Sequence, residues 1–143
     1  MSIYEVDVAA RQIKFLYKCV GRGTQSMALL KNDDSVNIAG PFGVGFSLET
    51  EWKNVAVIGR GVGLATLAPI SQLASEKGVG VTAFISARSA DLLMSQELFE
   101  KIGAKIITVT DADGTSSVEN LEKLLEKLVE VKGIDAFFTC GST

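Results

Sequence analysis

The chain has no histidine, and its 143 residues include only two cysteines, two prolines and one tryptophan. Without histidine the commonest general base is missing, and with it the Ser/His and Cys/His nucleophile arrangements. The two cysteines, Cys19 and Cys140, each lie in an apolar strand-like segment and form no C-x-x-C pair, which argues against a metal or cluster site within this chain. There is no run of lysine or arginine, and the formal charge is -3, so nothing resembles an electrostatic footprint for nucleic acid or an anionic membrane surface. No apolar stretch approaches the roughly 20 residues needed to cross a bilayer, and the N-terminus lacks a basic region followed by an apolar segment. A cytoplasmic location is the default expectation. Any enzymatic chemistry is expected to come from a cofactor.

What is present is an ordinary globular composition, 47% hydrophobic and 22% charged, with 14 glycines. From about residue 54 onward, short β-rich apolar runs alternate with amphipathic helical segments, the sequence form of a parallel α/β sheet. The runs are residues 55–59, 81–86, 105–110 and 135–140. Between the first two, a helix is expected over residues 65–77, with Leu67, Ile70, Leu73 and Ala74 on one face. Between the second and third, Leu92, Leu93, Leu98, Phe99 and Ile102 serve the same purpose, and Gly103 supplies a stop. The last helix reads as a Ser116/Glu119 capping box, a buried stripe of Leu121, Leu124, Leu125 and Leu128, and Gly133 just past its end. Glu119 and Lys123 form an i,i+4 pair on its solvated face.

The first 50 residues have a different texture. Ile13, Phe15 and Tyr17 alternate with Lys14, Leu16 and Lys18, as in an antiparallel strand with one better-buried face. A glycine-rich turn, a short helical piece over residues 25–30 and a strand over residues 36–39 lead into Gly40-Pro41-Phe42-Gly43. These strands are too few to close a barrel or sandwich. Residues 1–50 are therefore expected to be an incomplete β-rich domain, joined through a linker at residues 47–53 to an α/β domain over residues 51–143.

The strongest local signal is Val55-Ala-Val-Ile-Gly59-Arg-Gly61-Val62-Gly63-Leu-Ala-Thr66, a strand that runs into closely spaced glycines and then a helix. Glycine suits such a turn because a side chain would keep a pyrophosphate from the backbone N–H groups, while the helix N-terminus supplies partial positive charge. Pro69 fits the same reading, since the first helical N–H groups have no intrahelical partner. The plainer alternative is a tight strand-to-helix turn with no ligand. The spacing departs from Gly-x-Gly-x-x-Gly, and the acidic residue expected about 20 positions on is absent, because the second strand ends Ser86-Ala87-Arg88-Ser89. Gly-Lys-Ser/Thr is also absent, which disfavours a phosphate-binding NTPase.

The ordered set Gly21-Arg22-Gly23-Thr24, Gly40-Pro41-Phe42-Gly43 with Phe46, Gly59-Arg60-Gly61-Val62-Gly63, Ala87-Arg88-Ser89 with Leu92-Leu93, Thr110-Asp111 with Asp113-Gly114, and Cys140-Gly141 resembles the ferredoxin-NADP reductase superfamily. It is most similar to the branch of electron-transfer flavin subunits that serve dihydroorotate dehydrogenase, archaeal sulfhydrogenases and NADH-dependent ferredoxin:NADP oxidoreductase. The six motifs span almost the whole chain.

The resemblance implies an open parallel sheet with helices on both faces, preceded by the C-terminal part of an FAD-binding β-barrel. Gly23 and Thr24 would bind the FAD pyrophosphate, or else form a glycine turn with a helix-capping threonine. Ser2 is similar to the end of an Arg-x-x-Ser/Thr element that faces the flavin, with the arginine upstream of residue 1. Gly59, Gly61, Val62 and Gly63 would receive the pyrophosphate of NAD(P), with Thr66 adding a hydroxyl where the family usually has proline. Cys140 and Gly141 match a Cys-Gly-Pro element beside the nicotinamide, with Ser142 in place of the proline, which makes Cys140 the catalytic residue; the alternative is a buried strand cysteine. Thr110 and Asp111 stand where NADP-specific relatives hold the 2'-phosphate. Asp111 would repel that group unless a cation intervened; Arg88, next to Ser89, is either that cation or a surface arginine, so NAD is slightly favoured over NADP.

The function implied is a flavin-dependent electron-transfer oxidoreductase subunit. It would pass a hydride between NAD(P)H and FAD, and single electrons to an iron-sulfur partner of hydrogenase or ferredoxin:NADP oxidoreductase type whose cluster lies outside this chain. Nicotinamide and flavin rings must stack within about 3–3.5 Å, and no side-chain acid is required. The barrel lacks its start and the nucleotide domain its last helix, so the chain alone is expected to be an inactive fragment. The alternative is a non-catalytic nucleotide-binding or regulatory module.

Overall fold

The computed structural model describes residues 1–141, and Ser142 lies outside the described residues. Four parallel strands form its centre: β3 (Asn54–Arg60), β4 (Gly80–Ala87), β5 (Lys105–Thr110) and β6 (Ala136–Cys140), in the order β5-β4-β3-β6. The two central ones, β3 and β4, are nearly continuous buried runs because both of their faces are covered. Val55 and Val57 join one cluster with Leu64, Leu67, Ile70 and Ala74 of α2 (Leu64–Glu76) and Leu98 and Phe99 of α3 (Gln96–Lys101). Ala56 and Phe84 face the other way, onto Leu124, Leu125 and Leu128 of α4 (Val118–Lys132). The sequence expectation of an open parallel sheet with helices on both faces is met.

Details differ from the expected elements, each for a physical reason. Pro69 lies inside α2 rather than in its first turn, so the helix forgoes an interior hydrogen bond there. The expected third helix is broken: Ala90–Leu92 is a 3-10 turn, and α3 begins only after Ser95, at φ +68°. A left-handed residue interrupts the helical dihedrals, and Leu92 is left half exposed. Gly103 follows at φ +71°, as a stop should. The N-cap of α4 is Ser117, which accepts from the Asn120 amide, rather than Ser116. Ser116 instead donates to Asp111 Oδ1 at 2.5 Å, and Glu119 pairs with Lys123, so the N-cap moves by one residue and the expected Ser116/Glu119 capping box does not form. The Glu119–Lys123 pair forms at 2.6 Å.

Ahead of this unit, β1 (Ile3–Asp7) and β2 (Gln12–Phe15) form an antiparallel hairpin, followed by α1 (Arg22–Met27). The strand expected over residues 36–39 is absent. Val36 and Ile38 are exposed, and a segment without a neighbouring strand cannot fill a ladder. The segment read as a linker is docked: Leu48 and Trp52 pack on the core, and the Asp135 carboxylate accepts from the amides of Lys53 and Asn54 at 2.7 and 2.9 Å. On the hairpin, Glu5 is 8% exposed and accepts from Lys14 at 2.6 Å and from Lys101 of α3 at 2.8 Å. Hydrogen bonds from Lys101 and then Lys14 hold the Glu5 carboxyl below its usual range, and the same contact raises Lys101.

Candidate nucleotide site at the switch point of the sheet

The connections leave β3 in opposite senses. The chain passes from β3 through α2 and α3 toward β5 on one face, then returns through α4 on the other face to place β6 on the far side of β3. Such a reversal opens a crevice at the carboxyl ends of the two strands on either side of it, here β3 and β6. Gly59 lies level with Cys140 in the β3–β6 register, so the glycine turn and the Cys140-Gly141 pair meet at that crevice.

They meet backbone to backbone. A Cβ at Gly63 would lie 2.5 Å from the Cys140 carbonyl oxygen and 3.0 Å from Gly141 Cα, and one at Gly141 would lie 3.3 Å from Arg60 Cβ. Gly59 is a glycine for a different reason: its Cβ would overlap Leu64 Cδ2 and sit 2.8 Å from Leu64 Cγ, so its role is close packing of α2 on the strand. Gly61 carries φ +55° and has nothing within 4 Å of its Cβ position. That position is open to a ligand, and Val62 beside it is exposed. The Leu64 amide turns back onto the carbonyls of Gly61 and Val62 and then begins a helix of 13 residues. Of the three glycines, only Gly61 has open space where a side chain would stand.

In the first turn of α2, the Thr66 hydroxyl lies 3.0 Å from the Ser2 hydroxyl, both half buried. Two residues 64 positions apart, singled out separately, are thus one hydroxyl pair. Cys140 is a free, partly buried thiol.

A second cluster crowns the carboxyl ends of β3, β4 and β5. Arg60 Nη1 donates to Ser86 Oγ at 2.9 Å and to Asp111 Oδ1 at 3.1 Å, and Nη2 donates to Asp111 Oδ2 at 2.5 Å. This two-pronged contact, with the Ser116 hydroxyl second, holds the Asp111 carboxyl down at about 2, and the same contact raises Arg60. The cation expected on Asp111 is therefore Arg60. Arg88 is exposed and adds only a weaker pull through space. Arg60 was missed because it stands among glycines read for their backbone. The register that sets Arg60 beside Ser86, and Ala87 beside Thr110, is what brings it to Asp111.

Thr110 and Ser89 have local partners. Thr110 is 5% exposed, donates its amide to Thr115 Oγ1 at 2.8 Å and accepts from the Asp113 amide at 3.4 Å. Hydrogen bonds from the Thr115 side chain and backbone lower Asp113. The Ser89 carbonyl accepts from Leu92. Gly23 and Thr24 are not drawn to the switch point by these contacts. The Thr24 hydroxyl accepts from the amides of Val20 and Gly21 at 3.0 and 3.2 Å and donates to the Gly21 carbonyl at 3.0 Å, closing its own turn. Among the described residues, no group of three or more His, Cys, Asp or Glu side chains could hold a metal ion.

No family model matches the chain. It is 31% identical over 132 residues to the dihydroorotate dehydrogenase B (NAD(+)) electron transfer subunit homolog of Thermotoga maritima, covering 91% of this chain and 46% of that protein. It is 33% identical over 127 residues to the probable dihydroorotate dehydrogenase B (NAD(+)) electron transfer subunit of Methanothermobacter thermautotrophicus, covering 87% and 47%. The subunit of Enterococcus faecalis is 29% identical over 145 residues, 99% of this chain and 55% of its own. The chain thus spans about half the length of the curated relatives it matches. Among solved structures, the NADH-dependent reduced ferredoxin-NADP oxidoreductase, studied for flavin-based electron bifurcation, superposes with a TM-score of 0.69 at 30% identity, over 87% of this chain and 45% of that one. A ferredoxin-NADP+ reductase from Plasmodium falciparum in complex with 2'P-AMP shares the fold at a TM-score of 0.64 and 16% identity, over 86% of this chain and 57% of its own. The chain is a homologue of dihydroorotate dehydrogenase electron-transfer subunits, and its four-stranded sheet is that of the ferredoxin-NADP reductase-like proteins.

Proposed function

We propose that this chain is the nicotinamide-nucleotide-binding part of a flavin-dependent electron-transfer oxidoreductase subunit. In this reading residues 1–50 end an FAD-binding β-barrel and residues 51–143 form the NAD(P)-binding domain. The observation that carries the proposal is the meeting of the glycine turn, at Gly63, with Cys140-Gly141 at the switch point, a place where α/β sheets bind nucleotides, with open space at Gly61 beside it. The main chain of Gly61, Val62 and Gly63, with the N-terminus of α2, would hold a pyrophosphate. The Ser2–Thr66 pair and Cys140 would border the ring site, with Gly141 beneath them. Arg88, Ser89, Thr110 and Asp111 would border the far end of the nucleotide, and Gly59 would keep α2 close to the strand. The nicotinamide and flavin, when bound, supply the redox chemistry, so the protein's part is to hold and orient them.

The relatives are named as electron transfer subunits, which supports a partner that accepts electrons. We place an iron-sulfur centre on that partner, of hydrogenase or ferredoxin:NADP oxidoreductase type, and the assembly in the cytoplasm. No described helix is long and apolar enough to cross a membrane.

A non-catalytic nucleotide-binding or regulatory module is the second reading. Its specific support is Thr24, whose hydroxyl is committed to its own turn rather than free for an FAD phosphate. Calorimetric titration of the chain with NADH, NADPH and FAD tests both. The first reading expects saturable nicotinamide-nucleotide binding that weakens when Gly61→Val fills the open space. Failure of a folded chain to bind either nucleotide would sink it. Nucleotide binding together with a flavin-free full-length subunit would favour the second.

A further inference from the structure

We propose that Asp113-Gly114 is a latent site of succinimide formation and isoaspartate modification, and that the Thr115 side chain holds it closed. The step is spontaneous and needs no reagent but water. The Gly114 nitrogen attacks Asp113 Cγ and a C–N bond forms. A carboxyl oxygen leaves as water, taking up the Gly114 amide proton and the carboxyl proton. Water then opens the ring at either carbonyl. One opening restores aspartate, and the other gives isoaspartate, in which the side-chain methylene has entered the main chain.

The sequence has one Asp-Gly step, and the turn between β5 and α4 calls for both residues. Gly114 sits at φ +73°, where a side chain would be strained. Asp113 supplies the short carboxylate that closes an Asx turn onto the Thr115 amide at 3.0 Å. Both residues are exposed, and a Cβ at Gly114 would meet nothing within 4 Å. The requirements of the turn thus set an unhindered backbone nitrogen next to a carboxyl group.

Hydrogen bonds restrain the reaction. Asp113 Oδ1 accepts from the Thr115 hydroxyl at 2.6 Å as well as from its amide, which fixes the carboxyl group and favours its ionised, unreactive form. The Gly114 amide donates to the Asp111 carbonyl at 3.1 Å and must give up that bond before it can attack. Thr115 Oγ1 accepts from the Thr110 amide at 2.8 Å, which anchors it to the end of β5. Isoaspartate at position 113 would lengthen the main chain between Thr110 and Ser116, whose amide donates to the Thr110 carbonyl at 3.1 Å. Ser116 is also a donor to Asp111, so the modification would loosen the Arg60–Asp111 clasp.

The test is to incubate wild type, Thr115→Val and Thr115→Ser at neutral pH, well below their melting temperatures, and to follow isoaspartate by peptide mapping. Circular dichroism confirms folding, and urea-denatured wild type is the unrestrained reference. Asp113→Glu, which would need a larger and less favoured ring, is the control for position. Isoaspartate at position 113 is expected to form more slowly in folded than in denatured wild type. Thr115→Val keeps the amide donor but loses the hydroxyl, and should react about threefold to tenfold faster than wild type. Thr115→Ser restores the hydroxyl and should return the rate to near that of wild type. The proposal is overturned if folded wild type reacts as fast as the denatured chain, if folded Thr115→Val reacts no faster than wild type, or if the denatured chain forms no isoaspartate at position 113.

Discussion

The α/β unit from residue 54 onward and the segment from residue 19 to 46 are both rich in apolar residues, yet only the first buries them. Val55, Val57, Phe84, Ile85 and Phe99 are at most 1% exposed, whereas Val36, Ile38, Phe42 and Val44 range from 52% to 102%. The difference is periodicity and partnership. The two central strands of the sheet, β3 and β4, have parallel neighbours on both sides and helices on both faces, so their alternate faces are both filled. Residues 36–46 have no ladder to join, and their one ring contact with the core is Phe46, edge-on to Phe138 at 5.1 Å. Hydrophobicity alone does not specify a buried element; a surface to pack against is also required.

Mutations can test this contrast, and the largest effect is expected where both faces of the sheet meet. Phe84→Ala empties a site that is 1% exposed and should cost about 3–5 kcal/mol, read as the shift in urea midpoint at constant slope. A cost below about 1 kcal/mol would mean that the sheet packs less tightly than described. Next comes Gly63→Ala. Its dihedrals, φ -59° and ψ -27°, suit alanine, so the expected loss of about 1–3 kcal/mol comes solely from the Cβ meeting the Cys140 carbonyl. Gly61→Ala separates the causes: it has open space but φ +55°, and should lose only about 1–2 kcal/mol from backbone strain.

Glu5→Gln probes the seam between hairpin and α/β unit. Its lysine partners are 56% and 70% exposed and return to water when the carboxylate is removed, so the expected cost is about 1 kcal/mol at neutral pH. Glu5 has a lowered folded pKa, so its contribution is present above the unfolded value of 4.5 and fades as pH falls through the lower folded value. Wild type and variant should therefore converge in urea midpoint on acidification below 4.5. A constant gap down to the folded pKa would remove the ion pair as the cause. The smallest effect is expected at Val44→Ser, within about 0.5 kcal/mol, because the residue is fully exposed. Hydrogen exchange should show the same ordering, with amides of residues 55–58 protected and those of residues 36–46 exchanging fast.

Much of the architecture was legible before any coordinates. Alternation of β-rich runs with helical stripes locates β3 to β6 to within a residue or two, because burial on both faces leaves little freedom in those runs. Ser95 was not legible: no local pattern announces a left-handed serine, and the single expected helix is in fact a 3-10 turn and a short α3. The candidate site divides in the same way. The glycine turn stood out by spacing and Cys140-Gly141 by the family resemblance, but their mutual contact, the Ser2–Thr66 pair and the Arg60–Asp111 clasp link residues 51 to 81 positions apart.

Local sequence therefore determined which segments become strands and helices, since periodicity and turn chemistry act within a few residues of one another. Which glycines serve packing and which leaves open space, and which cation meets Asp111, were decided only when parallel register set the carboxyl ends of the strands side by side. The reason is geometric: hydrogen-bond reach is a few ångströms, and only the folded sheet brings residues so far apart in the chain within it.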